Sequence, residues 1–571
     1  MRRERLTGTA PRVPRRWTVL VAAAALLVVT YLAVRSGRYA AVTYLATQPR
    51  QLDPSASALC YYAARSMTRM FEALGLSLVF SLAFGYAAAR SRRLERVLVP
   101  ALDILQSVPV LGLLAVSAPA VIELVPGSVL DQEAVAVFAV FCAQAWHMAF
   151  AFYQSLIMLP PELDELSRGF RFPRWLRFVK VELPHAAIAL VWNGMMGFAS
   201  GWFFLAVSEA VTVAGSRGAL PGVGSYAAQA IADGDPRRLL MAMAAMAVLV
   251  LAAHTLFWRP VAAWAERFRV EDTGPPQRQR SAVLDRVRRP AALPVRVRQV
   301  GADLADRAGR IFGTDGGPVP RGRPTRPRGA GTGVLVAAVA AVAVAGVAGA
   351  VWGGGPGLVL RPLLLGVPTL LRVAAVVVVA TLVWVPIGVR IGLSPRLTRV
   401  AQPVILLLAS FPANFLYPAA LWLLARTGVP LDVGGTLLMA LSAQWYVLFN
   451  TVAGATAIPT DLRQATTDLG VRGLLRWRTL IAPAIFPYWL TGAISAAGSA
   501  WNASIIAEVV SFGGHRIVAD GLGALIAEAA RTADFPALLA AVTVVTLYVA
   551  LLHHLLWRRL YRYARRRFAV G

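Results

Sequence analysis

Long runs of apolar residues dominate the chain, and polar residues fall in short stretches between them. Most runs reach about 20 residues, the length that an α-helix needs to cross a hydrocarbon core of about 30 Å. The pattern predicts an all-α, polytopic transmembrane bundle of about 12 helices, six in each half. The runs lie at 17–34, 70–89, 97–123, 134–158, 185–212, 239–258, 333–352, 363–391, 400–425, 435–457, 481–510 and 537–557. We expect the first run to be a retained helix rather than a signal sequence.

A polar stretch separates the two halves. Residues 259–332 are rich in Arg, Pro and Gly, a composition that cannot bury a core and is typical of a linker. The chain therefore divides into five predicted segments. They are an N-terminal basic segment with the first helix (1–65), a first repeat (66–258), the linker (259–332), a helix leading into the second half (333–362) and a second repeat (363–571).

The charge of the chain is strongly positive, at +28, although only 15% of its residues are charged. The arginines cluster beside apolar runs, as at 2–16, 90–96 and 558–567. In membrane proteins Arg and Lys stay on the cytoplasmic side, so we expect a multi-pass protein of the bacterial plasma (inner) membrane, in contact with its lipid, with both termini cytoplasmic. Basic clusters of this kind, without nucleic-acid-binding motifs, do not predict a nucleic-acid partner.

The chain lacks residues for nucleotide or metal chemistry. Its only lysine, Lys180, lies in Phe-Val-Lys-Val and not in the Gly-Lys-Ser/Thr ending of a phosphate-binding loop. Cys60, Cys142 and the six histidines show no ligand spacing, so we expect no metal site. No catalytic cluster is recognisable, so the chain is not predicted to be an enzyme. If ATP drives it, a partner subunit binds the ATP and Mg.

An internal repeat relates the two halves. A shift of 299 residues aligns them without a gap from residue 160 onward, and it pairs Trp, Glu, Arg and Gly as well as apolar residues. Chance apolar similarity would match only Leu, Val and Ala. The pairs include Pro184 with Pro483, Trp202 with Trp501, Glu209 with Glu508, Arg217 with Arg516, Gly222 with Gly521, Gly224 with Gly523 and Asp235 with Asp534.

Two segments, 160–184 and 459–483, are predicted to protrude from the bundle and contact a partner. They are called here the first and second knobs. Each is predicted to form two short helices joined by a turn, with an apolar face that fits a groove of a partner. An ordinary loop with a capping turn is the alternative, and two copies in register argue against it. The apolar residues are Leu163, Leu166, Phe170, Trp175 and Phe178 in the first knob, and Leu462, Ala465, Leu469, Leu474 and Leu475 in the second.

Both knobs resemble the EAA loop of ABC-importer permeases, whose pattern is Glu-Ala-Ala, three residues, Gly, nine residues, Ile, one residue and Leu-Pro. The resemblance implies that each knob docks one of two ATPase subunits. Arg171 replaces the family's Gly in the first copy and Gln464 replaces its Glu in the second, so unequal contacts are expected. The matching residues are Glu165, Leu166, Ser167, Gly169, Arg171 and Pro184, and Gln464, Ala465, Thr466, Gly470 and Pro483.

A second resemblance narrows the kind of ABC-importer permease. The run from Ala500 to Glu508, followed by Gly521-Leu522-Gly523, is similar to permeases for nitrate, sulfonate, taurine and bicarbonate, and the first half carries a weaker version. It implies a small anionic solute that a separate solute-binding protein delivers from outside. Fused permeases for iron or thiamine are the alternative within the same class. The sequence leaves the substrate open.

Polar residues inside the apolar runs are candidates for the translocation path. Gln106 and Ser107, and Ser410 and Asn414, flank a proline in the third helix of each half, while Trp202, Trp501 and Asn502 lie in the fifth helices. The alternative is that these residues only bond neighbouring helices. Glu209 and Glu508 are path candidates too, and we expect gating or structural ion pairs with Arg217 and Arg516 rather than a proton path.

Two other classes of function remain open. A proton- or sodium-coupled secondary transporter also often has duplicated halves, but it needs an ion site and does not need paired EAA loops. A membrane enzyme of lipid chemistry needs a cluster of His, Asp or Ser at one interface. The repeated knobs favour the ATP-driven importer over both.

Overall fold

A computed structural model describes residues 52–105, 109–112, 114, 129–170, 172–214, 220–268, 357–512, 515–532 and 534–567. The predicted helices at 17–34 and 333–352 and most of the predicted linker lie outside these residues. Four residues singled out from the sequence also lie outside them: Gln106, Ser107, Arg171 and Arg217.

The described part of the first half is helical throughout. Its long helices run outward and back between the knob and the opposite end of the bundle. They are α1 (Ala56–Arg90), α2 (Arg92–Leu105), α3 (Val129–Ile157), α4 (Pro161–Gly169), α5 (Arg174–Arg177), α6 (Leu183–Ala214), α7 (Val223–Ala232), α8 (Pro236–Ala252) and α9 (Arg259–Ala265), with π-helical turns at Phe178–Glu182 and Ala253–Trp258.

The described part of the second half follows a similar order and includes a short hairpin. Strands β1 (Val509–Phe512) and β2 (His515–Val518) pair antiparallel. The helices are α10 (Gly357–Gly392), α11 (Pro395–Ser410), α12 (Tyr417–Thr427), α13 (Leu431–Thr456), α14 (Thr460–Asp468), α15 (Gly473–Arg476), α16 (Ala482–Ala507), α17 (Leu522–Arg531), α18 (Phe535–Leu552) and α19 (Arg558–Arg567), with π-helical turns at Trp477–Ile481 and His553–Trp557.

Among the described residues, eight helices are long and apolar enough to cross a membrane. A ninth candidate is the pair α11 and α12, which bends by 83° at a short break. The break falls at Pro412, which has no N–H to continue a helical ladder. The predicted all-α, polytopic class is confirmed, and the predicted run at 400–425 proves to be broken at the proline.

Three long helices form the core of each half, and residues of the second half pack into the first-half core. In the first half α3 packs between α1 and α6, and in the second α13 packs between α10 and α16. Phe415, from the break between α11 and α12, is buried in the core of the first half. Ile505 and Ile506 of α16 pack against the first-half cluster that contains Leu111. The two repeats therefore form one interlocked bundle.

The Asp and Gly residues that repeat between the two halves have local structural roles. Asp235 caps α8 by accepting from the backbone N–H groups of Arg237 and Arg238, and Asp534 caps α18 in the same manner. A Cβ on Gly224 would lie 2.6 Å from the carbonyl oxygen of Ala206. Close packing of α7 on α6 therefore requires glycine at this position.

Candidate functional site: two knobs and two buried carboxylates

Each knob consists of two short helices and a tight turn, as the sequence predicts. In the second knob the Val471 N–H donates to the Thr466 carbonyl oxygen at 2.9 Å, and Gly470 has a φ of +67°. The left-handed conformation at this place favours glycine and closes α14. In the first knob the matching bond joins the Phe172 N–H to the Ser167 carbonyl oxygen at 2.9 Å.

Large apolar side chains on both knobs are exposed. Water-exposed apolar surface in one patch is unfavourable and marks a contact with a partner. Glu165, Gly169, Gln464, Ala465 and Gly470 are exposed beside them, whereas Ser167 is buried and Thr466, Pro184 and Pro483 are half-buried. The exposed fractions are 53% for Leu166, 68% for Phe170, 48% for Leu462, 79% for Leu469, 75% for Leu474 and 58% for Leu475.

A chain of ion pairs holds the first knob against the bundle. The Glu182 carboxylate is buried and accepts from Arg177 Nε at 2.8 Å and from Arg90 at the end of α1. Arg177 also pairs with Asp164 of α4 at 2.7 Å. Both short helices of the first knob are thus tied, through Glu182, to α1. This arrangement is called here the Glu182 clamp.

The second knob lacks this clamp. The shift of 299 places Ile481 where the first knob has Glu182, and Arg463 where it has Asp164. Ile481 and Leu480 pack in an apolar cluster with Val389 instead. Arg463 donates to the Ala455 carbonyl oxygen at 2.6 Å. The second knob is therefore attached mainly through apolar contacts and through bonds from Arg463 to the Ala455 and Thr456 carbonyl oxygens.

Glu209 lies at the opposite end of α6 from the first knob, in a buried cluster of hydrogen bonds. Its carboxylate accepts from Arg69 Nη1 at 2.6 Å, from Ser66 Oγ at 2.8 Å and from the Gly224 N–H at 2.8 Å. Arg69 Nε also donates to Glu133 at 2.5 Å, and Arg65 pairs with Glu133 as well. The cluster joins α1, α3, α6 and α7.

Glu508 occupies the matching place in the second half. Its carboxylate accepts from Arg372 Nη1 and from Thr369 Oγ1, both at 2.8 Å, and from the Ala524 N–H at 3.1 Å. Arg372 Nη2 also pairs with Asp432 at 2.9 Å. Glu209 and Glu508 have no exposed surface. Each half therefore has a buried ion pair between two long helices. It ties α1 to α6 in the first half and α10 to the end of α16 in the second.

A glycine makes room for each carboxylate. A Cβ on Gly222 would lie within 2.4 Å of both Glu209 oxygens, and a Cβ on Gly521 would lie 2.1 Å from Glu508 Oε2. Side chains cannot occupy such positions without moving the carboxylate. The sequence pairing of Glu209 and Gly222 with Glu508 and Gly521 thus reflects one repeated site.

The predicted partner of Glu508 was wrong. Arg516 lies at 2.5 Å from Glu528, in an exposed pair that also includes Arg531. Arg372, which comes from a helix 136 residues earlier in the chain, takes the expected role. The predicted partner of Glu209, Arg217, lies outside the described residues.

The other candidates for the translocation path differ in how far their side chains are buried. Trp202 and Trp501 are each 1% exposed and belong to the core of their own half. Ser410 is buried and donates to the Leu406 carbonyl oxygen. Asn414 is half-buried at the break between α11 and α12, and its buried Oδ1 has no hydrogen-bond partner among the described residues.

Asn502 makes a contact between the halves. Its Oδ1 accepts from the Leu111 N–H at 3.4 Å, and its Nδ2 donates to the Gly498 carbonyl oxygen. Ile505 and Ile506 lie on the same boundary, so the boundary between the repeats combines apolar packing with a polar contact at Asn502.

Sequence reasoning missed the arginines of both buried clusters. Arg69 and Arg372 correspond through a shift of 303, not 299, because the segment before α3 differs in length between the halves. The signal that could have found them is the repeated spacing of Ser66 to Arg69 and of Thr369 to Arg372. Glu133 and Asp432, their second partners, do follow the shift of 299.

Comparison with known proteins agrees with the duplication. The family model described as binding-protein-dependent transport system inner membrane component matches twice, at residues 81–264 and 384–570. These two matches cover more than half of the chain.

Individual relatives are permeases. The bicarbonate transport system permease protein CmpB of Synechococcus elongatus is 26% identical over 147 residues, which is 26% of this chain and 51% of that protein. The nitrate import permease protein NrtB of Synechocystis is 27% identical over 142 residues, 25% of this chain and 50% of that protein. A putative ABC transporter permease protein of Methanocaldococcus jannaschii is 28% identical over 139 residues, 24% of this chain and 51% of that protein.

The chain spans about half the length of the relatives that it matches, and those relatives are transport components rather than enzymes. The repeat, the paired knobs and the double family match agree with one another. The chain is thus a multi-pass membrane protein that belongs to the binding-protein-dependent transport system inner membrane component family, as a fused, duplicated permease of the ABC type.

Proposed function

We propose that this chain forms the translocation path of an ATP-driven importer for a small anionic solute, with both permease halves in one polypeptide. The observation that carries the proposal is the pair of knobs, which expose leucines and a phenylalanine at one end of the bundle. Each knob docks one ATPase subunit, and each ATPase subunit holds the ATP and Mg that this chain has no residues to bind.

The proposal assigns the two ends of the bundle. The knob end faces the cytoplasm in this proposal, because the described arginine-rich stretches at 90–96 and 558–567 lie there, and both chain termini are proposed to lie on the same side of the membrane. A solute-binding protein docks at the opposite end, near the buried carboxylate clusters. From Leu183 to Glu209 the axis of α6 is about 39 Å long, enough to cross a bilayer core of about 30 Å.

The solute path runs between the two halves in this proposal. The polar contact of Asn502 with Leu111 lies on that boundary, and it breaks and re-forms when the halves move. Glu209 and Glu508 are ion pairs inside each half, so they keep the helices of one half together during the movement. The names of the bicarbonate and nitrate relatives favour a small oxyanion.

Co-purification of the partner ATPase tests the docking role of the knobs. A double variant, Phe170→Ser with Leu474→Ser, removes an exposed apolar side chain from each knob, and we expect it to lose most of the bound ATPase. Leu360→Ser is a matched control, because Leu360 is 57% exposed on α10 but lies at the opposite end of the bundle. Equal recovery of ATPase with wild type and with the double variant would refute the docking role.

A further inference from the structure

The two knobs differ most in how they are joined to the membrane helices. In the first knob Glu182 is 1% exposed and takes two arginines, one from the knob and one from α1. A buried carboxylate holds its partners tightly, because leaving any of these charges unpaired in a low-dielectric site is costly. Ile481, at the matching place, offers only non-directional apolar contacts.

The Glu182 clamp connects the first knob to the far end of the bundle through one helix. Arg90 is the last residue of α1, and Arg69, on the same helix, holds Glu209 and Glu133. The two arginines are about 32 Å apart along the helix axis. A displacement of the first knob therefore reaches the Glu209 cluster through ion pairs at both ends of one continuous helix.

Among the described residues, α10 of the second half takes part in an ion pair at one end only. Arg372 of α10 holds Glu508, but Leu393 is the residue that corresponds to Arg90. Arg476, which corresponds to Arg177, has a buried Nε with no hydrogen-bond partner in the part of the chain that the structure describes. Movement of the second knob reaches α10 through apolar packing that can slide and through a neutral hydrogen bond from Trp489 Nε1 of α16 to Thr381 Oγ1, not through an ion pair.

We propose that the knobs divide the work: the first is a stiff arm that drives α1, and the second is a compliant arm that mainly holds its ATPase subunit. Greater exposure of apolar side chains on the second knob fits a holding role, because Leu469 and Leu474 are 79% and 75% exposed. This inference rests on the proposed docking of ATPase subunits. It assigns Glu182 as a positioning residue for the coupling between ATPase and pore.

Spin labels at matched places on α1 and α10 test the inference. Leu76 and Val379 correspond through the shift of 303. Their side chains are 55% and 52% exposed, so both positions are accessible to a label. Each is changed to Cys in a background with Cys60 and Cys142 replaced by Ser. The ATPase-bound complex is then compared with and without MgATP and vanadate by electron paramagnetic resonance.

In the unmodified complex we expect ATP to change the mobility of the label at residue 76 strongly and that of the label at residue 379 little, because only α1 is held by the Glu182 clamp. Glu182→Gln keeps the size of the side chain but removes its charge, so the change at residue 76 should fall to the small change seen at residue 379. Ile481→Val is the matched control in the second knob and leaves both changes intact. If Glu182→Gln does not yield folded protein, Arg90→Gln breaks only the link to α1 and carries the same expectation.

Four outcomes would each refute a claim. If Glu182→Gln keeps the full change at residue 76, or if the two labels change equally in the unmodified complex, the division of work is overturned. Loss of bound ATPase from Glu182→Gln would also overturn it, because the clamp would then serve docking. If the unmodified chain binds no ATPase at all, the proposed function fails instead, so the two failures are distinguishable.

Discussion

Arg372→Met should be among the most destabilising single changes in the second half. The substitution removes the cation that faces Glu508, which has no exposed surface, and also the bonds from Arg372 to Asp432 and to the Asp520 carbonyl oxygen. The bonds from Thr369 and from the Ala524 N–H remain. The Glu508 carboxylate then stays buried with hydrogen bonds but with no neutralising charge.

The expected loss is large for one residue. Removing one partner of a buried ion pair costs about 3–5 kcal/mol, mostly from the charge that is left behind. If this is the cause, Glu508→Gln added to Arg372→Met should recover about 2 kcal/mol, since a carboxamide keeps hydrogen bonds without a buried charge. The double variant should therefore be more stable than the single variant.

Unfolding can be followed through a buried thiol. In a Cys60→Ser background the remaining Cys142 is 1% exposed, so a thiol-reactive dye reports unfolding during heating or titration with SDS. Arg516→Met is the control, because its pair with Glu528 is exposed and solvent-screened, and its loss should change the midpoint little.

Two results would contradict this reasoning. A double variant less stable than Arg372→Met would show that lost bonds, not the stranded charge of Glu508, dominate. A larger effect from Arg516→Met than from Arg372→Met would restore the pairing that the sequence alone suggested.

Three further predictions concern single positions. Gly521→Ala should lower stability by about 1–3 kcal/mol, because its Cβ meets Glu508, whereas Gly498→Ala, which has nothing within 4 Å, should not; the same dye assay checks both. Gly470→Ala forces a left-handed φ of +67° on a residue with a Cβ, at a cost of about 1–2 kcal/mol, so limited proteolysis should cut the second knob faster than in wild type. Hydrogen bonds from Arg531 and Arg516 lower the pKa of Glu528 from 4.5 to about 2. Because the folded-state value is the lower one, the stabilisation is present above pH 4.5 and is lost as the pH falls towards 2, so the unfolding midpoints of wild type and Glu528→Gln should converge over that window.

The sequence was a good guide where a feature repeats in register. The shift of 299 identified both knobs, both buried glutamates and the glycines that face them, because the two copies exclude chance similarity. Apolar runs predicted the membrane helices because a helix that crosses lipid must be apolar along most of its length. The break in the predicted run at 400–425 falls at Pro412, a proline that lies inside that run.

Long-range pairing was beyond the reach of such patterns. Arg516, eight residues after Glu508, seemed the natural partner, yet the true partner Arg372 comes from a helix that is adjacent only in the folded bundle. The Glu182 clamp was hidden for a similar reason. Its two arginines lie 92 and 5 residues away in the chain, and only packing brings Arg90 to Glu182.

Transport by the reconstituted protein tests the central claim most directly. Proteoliposomes with this chain, its partner ATPase and its solute-binding protein should take up nitrate or bicarbonate only when MgATP reaches the ATPase, and a chain without ATPase should take up neither. Uptake driven by a proton or sodium gradient, with the ATPase left out, would contradict the claim and identify the protein as a secondary transporter.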